Sequence, residues 1–158
     1  MFMLMACYGL GAGEVIRLRI EDVDWRAAVL RAHRPKTAVP LELPLLPAVA
    51  KAIALYLEDR PRHVATREIF LANSLPHHPI TSSVLRHQAR QYARAAGVVA
   101  VRLGAHVFRH SHATRQIDTG ARLKIVSDIL GHRRPSSTSI YVRVAIQRLR
   151  GVALPVPR

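Results

Sequence analysis

The sequence predicts a mainly α-helical fold with a small antiparallel β-sheet, an α+β class, and three observations carry that prediction. Apolar residues recur at helical spacing in segments such as "PAVAKAIALYLEDR" and "TSSVLRHQARQYARAAG". Two short apolar runs, "AVLRAH" and "AVPLEL", flank the turn-forming "RPKT" and read as paired strands. Hydrophobic residues make up 49% of 158 residues, enough to bury one real core. One domain spanning 1–158 is expected.

Taken in order, "MFMLMACYGL" is an apolar helix that breaks at the glycines of "YGLGAGE". "EVIRLRIEDVDW" resumes as helix, with Glu14 near a start that suits an acid. The two strands follow. "PAVAKAIALYLEDR" then places Val49, Ile53, Tyr56 and Leu57 on one side of a helix. A loop bearing Pro and His leads to "EIFLA", expected as a short third strand. In the next helix Thr81 or Ser82 caps the start and Leu85, Ala89, Tyr92 and Ala96 form the buried stripe. Gly97 ends it. "AHVFRHSHATRQIDTG" reads as a helix closed by Gly120, and "RLKIVSDILGH" as one closed by Gly131. "RPSSTSIYVRVAIQRLR" starts Ser/Thr-rich and becomes helical, and "PVPR" is a loose tail. No internal repeat or low-complexity tract interrupts this order.

Charge narrows the function. The formal net charge is +14, and it is unevenly distributed. Residues 1–68 hold 10 Lys/Arg against 8 Asp/Glu, whereas residues 69–158 hold 14 against 2. From Ile69 to Ile117 there is no acid at all. Such a concentration points to a polyanionic partner, with nucleic acid ahead of a membrane surface. Arg86, Arg90 and Arg94 repeat every four residues along one helix. Like charges at that spacing repel in isolation and make better sense against phosphates, although a solvated face is the alternative. The first apolar run is only ten residues, about half a membrane span, and lacks the basic start of a signal peptide. The lone Cys7 excludes an internal disulfide framework and suits a reducing cytoplasm.

The densest chemistry lies in "GAHVFRHSHATRQ", where His106, Arg109, His110, His112 and Arg115 crowd together without an acid. His106 and His110 have a spacing that zinc accepts, but hydrolase-type zinc pairs carry a carboxylate between them. Here Val107, Phe108 and Arg109 intervene, and Arg109 would repel a cation. A Ser-His-Asp set is weaker still, because no nucleophile elbow surrounds Ser111. A phosphate fits better. His106 and Arg109 stand one helical turn apart near a helix N-terminus, where side chains and backbone amides converge on an anion. A basic helix with no dedicated ligand is the remaining alternative.

Together "YGLGAGEVIRLRIEDVDW", "HVFRHSHATR" and "LKIVSDILGHRRPSSTSIY" resemble the catalytic domain of the tyrosine recombinases, the phage-integrase family. The carrying elements are His106–Arg109–His110, Leu130–Gly131–His132 and Tyr141, nine residues after His132. The resemblance implies that fold and a DNA strand-cleaving chemistry with Tyr141 as nucleophile. It makes Arg109 the clamp on the nonbridging oxygens, His106 the proton-handling histidine, His132 a hydrogen-bond donor to the phosphate, and Lys36 the acid for the leaving oxygen. Duplex DNA is the implied partner, with Arg86, Arg90, Arg94, His110, Arg115, Arg133 and Arg134 as the candidate contacts. No metal or nucleotide cofactor is implied. The family's segment after the tyrosine often docks on a neighbouring protomer, so a homo-oligomer on DNA through "VAIQRLRGVALPVPR" is an expectation.

Two departures stand out. The family places an arginine, the other half of the phosphate clamp, where this chain has Gly11. Along a helix Arg17 lies about 600° of rotation beyond that position, and Arg19 returns to within about 80° but about 12 Å along the axis. Neither replaces it. The family's N-terminal core-binding domain is also missing from the sequence, so a truncated or decaying integrase is expected. Two functions therefore stand side by side: a strand-exchanging enzyme acting through Tyr141, and a DNA-binding remnant or subunit without turnover. A metal-dependent nuclease, which would lose its activity to a chelator, is a distant third.

Overall fold

The computed structural model describes residues 1–34, 40–98 and 104–131. Two compact units divide the chain, Met1–Arg109 and His110–Arg158.

In the first unit, α1 (Phe2–Tyr8) buries Leu4, Met5 and Tyr8. Gly9 stops it with φ at 66°, a left-handed conformation that costs glycine little, and returns its N–H to the Met5 carbonyl. The Tyr8 hydroxyl donates to Pro44 O at 2.8 Å and accepts from Leu46 N at 2.9 Å. That two-way bond ties α1 to the far end of the sheet, and burial holds the phenol above its ordinary pKa. The second helix, α2, runs only from Ala12 to Ile16. The expected longer helix fails because Leu18 turns into the core and the chain enters a 3-10 turn, Ile20–Asp22. Asp22 sets this turn by accepting from Arg19 N at 2.8 Å.

The sheet has three antiparallel strands in the order β1 (Val23–Asp24), β2 (Val29–Ala32) and β3 (Leu41–Pro44). The β2–β3 pairing matches the strands read from the sequence, with Leu30 opposite Leu43 and Arg31 opposite Glu42. Alternation places Leu30 and Ala32 in the core and Arg31 on the other face. Arg31 there bridges both neighbours, reaching Asp24 at 3.3 Å and Glu42 at 3.2 Å. The Ala27 amide and then Arg31 hold the Asp24 carboxyl below its usual range.

The third strand is not the expected "EIFLA". Glu68 and Leu71 form only isolated bridges, to Arg19 and Pro79. The segment is apolar because it threads the core: Ile69, Phe70, Leu71 and Ala72 are all buried, and their backbone bonds go to Leu18, His78 and Ile80. Burial on both sides, rather than strand pairing, explains its composition. Upstream, Arg60 holds the loop by donating to the carbonyls of Thr66, Glu68 and Ile69 at 2.7, 3.0 and 3.2 Å.

Helix α3 (Pro47–Glu58) opens with proline at its first position and buries Val49 and Ile53, with Tyr56 and Leu57 packed at the core margin. Helix α4 (Ser82–Ala95) is capped by Thr81, whose Oγ1 accepts from Val84 N at 3.4 Å, and Gly97 follows it at φ 68°. Leu85 and Ala89 are buried as expected, but Tyr92 and Ala96 are exposed. The Tyr92 ring packs edge-on against Phe2 at 5.8 Å, at the rim of an apolar cavity rather than inside the core. Ala96 is the C-cap, past the last packed turn.

Helix α5 (Ala105–Asp118) begins in the first unit, where Phe108 stacks on Phe2 at 5.5 Å. In the second unit, its residues His112 and Ala113 are buried, and Ala113 forms a small cluster with Val126 and Leu130 of α6 (Leu123–Leu130). Gly120 and Gly131 take positive φ after the two helices, as the sequence predicts.

Candidate functional site

The site is built on a buried carboxylate. Glu14 is the third residue of α2, and its Oε2 accepts from the Gly11 amide at 2.5 Å, completing the N-terminus of that helix. The same side chain is buried, so it must be paired. Arg109 Nη1 donates to Glu14 Oε2 at 3.4 Å, and Arg34 Nε donates to Glu14 Oε1 at 3.1 Å. Each carboxylate oxygen thus takes one guanidinium. These partners lie 95 and 20 residues from Glu14 in the chain, so only the fold brings them together.

One carboxylate and two guanidinium groups meet here. Side-chain exposures of 13% for Arg34 and 16% for Arg109 place both cations largely out of water. A guanidinium fork held in this way suits an oxyanion.

Gly11 stands against this group. Its backbone is extended (φ −75°, ψ 158°), which any residue adopts. A Cβ there would lie 3.3 Å from Arg109 Nη1 and 3.3 Å from Glu14 Oε2. A side chain at position 11 would therefore start beside the Arg109 guanidinium. The arginines weighed as substitutes do not fill that place. Arg17 is exposed, and Arg19 is exposed and paired with Glu21 at 3.5 Å and Glu68 at 3.8 Å.

The other predicted residues separate into three groups. His106 is exposed in the first turn of α5, one turn before Arg109. Arg86, Arg90 and Arg94 are exposed along α4, where Arg86 and Arg90 line a groove with Ser83, Val84 and His87. His110 and Arg115 are exposed positions of α5 in the second unit. Lys36, His132, Arg133, Arg134 and Tyr141 lie outside the described residues. Sequence reasoning missed Arg34 altogether and saw Glu14 only as a helix-start acid. The available signal was an acid at the third position of a short helix in a chain with few acids, which needs a basic partner once buried.

No group of three or more His, Cys, Asp or Glu side chains among the described residues is placed to share a metal ion. Nor is any helix among them long and apolar enough to cross a membrane.

The phage integrase family model matches residues 1–148. A putative integrase/recombinase of Sinorhizobium fredii, y4gC, is 37% identical over 155 residues, covering 98% of this chain and 80% of the relative. A second from that organism, y4rA, is 37% identical over 99% of this chain and 38% of its own length. Tyrosine recombinase XerD of Yersinia pestis is 34% identical over 90% of this chain and 48% of its own length. The chain thus spans most of one relative and less than half of the other two. Among solved structures, XerA recombinase matches with a TM-score of 0.78 at 22% identity, over 98% of this chain and 57% of that one. XerH site-specific recombinase, bound to palindromic difH substrate in a post-cleavage complex, matches with a TM-score of 0.74 at 22% identity, over 96% of this chain and 43% of that one. At these identities the two structures show the shared fold.

Proposed function

This chain belongs to the phage integrase family, and from that premise we propose that it cuts and rejoins duplex DNA at specific sites through a 3′-phosphotyrosine formed on Tyr141. The observation that carries the reading is Arg109, fixed by buried Glu14 beside position 11, where a guanidinium fork suits two nonbridging phosphate oxygens. The basic half of the chain supplies the rest of the attraction, and the XerH structure named above contains its DNA substrate.

The step balances without a cofactor. The Tyr141 oxygen attacks phosphorus, the bond to the 5′-oxygen breaks, and the new ester keeps the bond energy for rejoining. A phenol with a pKa near 10 is ionised about one part in a thousand at neutral pH, so its proton must be taken as attack proceeds. His106 takes that proton in this reading. Lys36 protonates the departing 5′-oxygen and His132 donates to the phosphate. Arg86, Arg90, Arg94, His110, Arg115, Arg133 and Arg134 hold the flanking backbone. The segment 144–158 docks on a second copy on DNA, and the protein works in the cytoplasm.

Gly11 lowers turnover. Loss of one arginine in phosphoryl transfer costs about 10³–10⁵ in rate, and loss of one transition-state donor about 10²–10³. That glycine also favours a second reading, a DNA-binding module that no longer cleaves. Incubating the protein with short duplexes of randomised core and recovering SDS-resistant adducts separates the two. The enzyme reading expects adducts from the wild type, none from Tyr141→Phe, and a higher yield from Gly11→Arg. Duplex binding with equal background adduct from all three proteins would leave the binding module.

A further inference from the structure

We propose that Asp22 and His33 form a positioning pair for Lys36, holding the strand end from which that leaving-group acid follows. The inference rests on the strand-cleavage reading above, in which Lys36 protonates the departing 5′-oxygen. Asp22 is buried and both of its oxygens are used. Oδ2 accepts from the Arg19 amide at 2.8 Å, and Oδ1 accepts from His33 Nε2 at 2.8 Å. Among the described residues the buried acids are Asp22 and Glu14, and both bind the end of β2. Asp22 does so through His33, and Glu14 through Arg34 at 3.1 Å. A buried carboxylate is costly without its partner, so both bonds resist opening.

These bonds fall where the sheet stops holding the chain. The β2–β3 ladder runs to Ala32 opposite Leu41, and the same register sets His33 opposite Pro40. Proline has no amide hydrogen to give to a ladder. Side chains take over at that step, tying His33 to the 3-10 turn and Arg34 to α2. Two successive residues fastened to two elements fix the direction in which the strand end points. Lys36 follows Arg34 by two residues, at most about 7 Å of extended chain. A proton donor must sit within hydrogen-bond reach of the oxygen it serves, and a displacement of about 1 Å costs about 10² in rate. His33 needs no contact with DNA for this role. The alternative is that the pair only steadies the sheet. The leaving group separates the two, because an alkoxide departs with a proton from Lys36, whereas a thiolate, whose acid has a pKa near about 8.5, departs without one.

The randomised duplex pool would be offered to the wild type and to Gly11→Arg, and the parent giving more adduct would carry His33→Ala, Asp22→Asn and Lys36→Ala. One recovered duplex would be resynthesised with sulfur in place of the 5′-oxygen at the broken linkage. Attack by Tyr141 on that duplex breaks a phosphorus–sulfur bond and releases a thiolate. Thermal melting would be measured on each protein. His33→Ala is expected to melt close to its parent, because the imidazole is 57% exposed. It should form adduct about 10²-fold more slowly on the oxygen duplex. On the sulfur duplex its loss should be less than about threefold, as for Lys36→Ala, since no acid is needed there. Asp22→Asn, which keeps an acceptor for the Arg19 amide but loses the charge facing His33, should follow the same pattern. A full rate from His33→Ala on the oxygen duplex overturns the proposal. So does an equal loss on both duplexes, which makes the pair a support of the fold alone. A Lys36→Ala loss that sulfur does not relieve removes the acid and this proposal with it, and leaves cleavage by Tyr141 standing. No adduct from either parent overturns both. Should Asp22→Asn fail to fold, His33→Ala alone decides.

Discussion

Arg34 and Arg109 sit against Glu14 with most of their surface removed from water, whereas Arg86, Arg90 and Arg94 stand in solvent along α4. The first set is spaced irregularly in sequence and brought together by folding. The second follows a four-residue repeat visible to the eye. Their physics differs accordingly. A buried, hydrogen-bonded guanidinium has a fixed direction, so it can favour one geometry of phosphate over another. An exposed arginine is a mobile charge screened within about 8–10 Å at ordinary salt. It adds affinity to any stretch of backbone and discriminates little. On this physics, substitutions in the exposed set should act on attraction and substitutions in the buried set on geometry.

The sharpest way to break that contrast is Arg109→Ala. It should lower adduct formation by about 10³–10⁵ while leaving affinity for mixed-sequence duplex within about tenfold. A parallel fall in affinity and rate, measured by filter binding beside the adduct assay, would erase the distinction between the two sets. Next in size is Glu14→Ala, which leaves two largely buried guanidinium groups without their shared carboxylate. Breaking such a pair costs about 3–5 kcal/mol, and the partial exposure of both arginines brings the expected loss to the low end, about 3 kcal/mol. Urea denaturation reads it directly, and a midpoint equal to that of the wild type would mean the carboxylate is dispensable. The smallest effect on chemistry belongs to the triple change of Arg86, Arg90 and Arg94 to alanine. Each lost phosphate contact removes about 0.9 from the slope of log affinity against log salt, so the slope should fall by about 2.7. The adduct rate at saturating DNA should stay within about threefold of wild type on a screened-charge account. A large rate loss would move α4 into the chemical site.

Legibility in the sequence followed the range of the forces involved. Helix α4 was readable because a threonine cap, a periodic stripe and Gly97 all lie within one short window. The β2–β3 hairpin was readable for the same reason, and so were the stops at Gly120 and Gly131. Strand β1 was not, since two residues are too few to show alternation. The Ile69–Ala72 segment misled because burial from two sides produces the same apolar run as a central strand. Tyr92 misled because period alone does not say how far the core extends along a helix. In the site, Arg109 was readable from its motif. Arg34 was not, because its partner Glu14 is 20 residues away and no local pattern joins them.

Gly11 lies where these two kinds of information meet. The proposed loss of an arginine there comes from sequence pattern, and the geometry puts a Cβ at that position beside Arg109. Its φ and ψ suit any residue, and an added Cβ would meet only the Arg109 guanidinium and the Glu14 carboxylate, each at 3.3 Å.

Peptide mapping of a recovered adduct decides whether Tyr141 is the nucleophile. The protein would be reacted with the duplex pool, denatured and digested with protease and nuclease, and the nucleotide-bearing peptide identified by mass spectrometry. The expected product is a 3′-linked nucleotide on the peptide containing Tyr141. A nucleotide attached at another side chain, or a modified peptide equally abundant in Tyr141→Phe, would remove Tyr141 from the reaction.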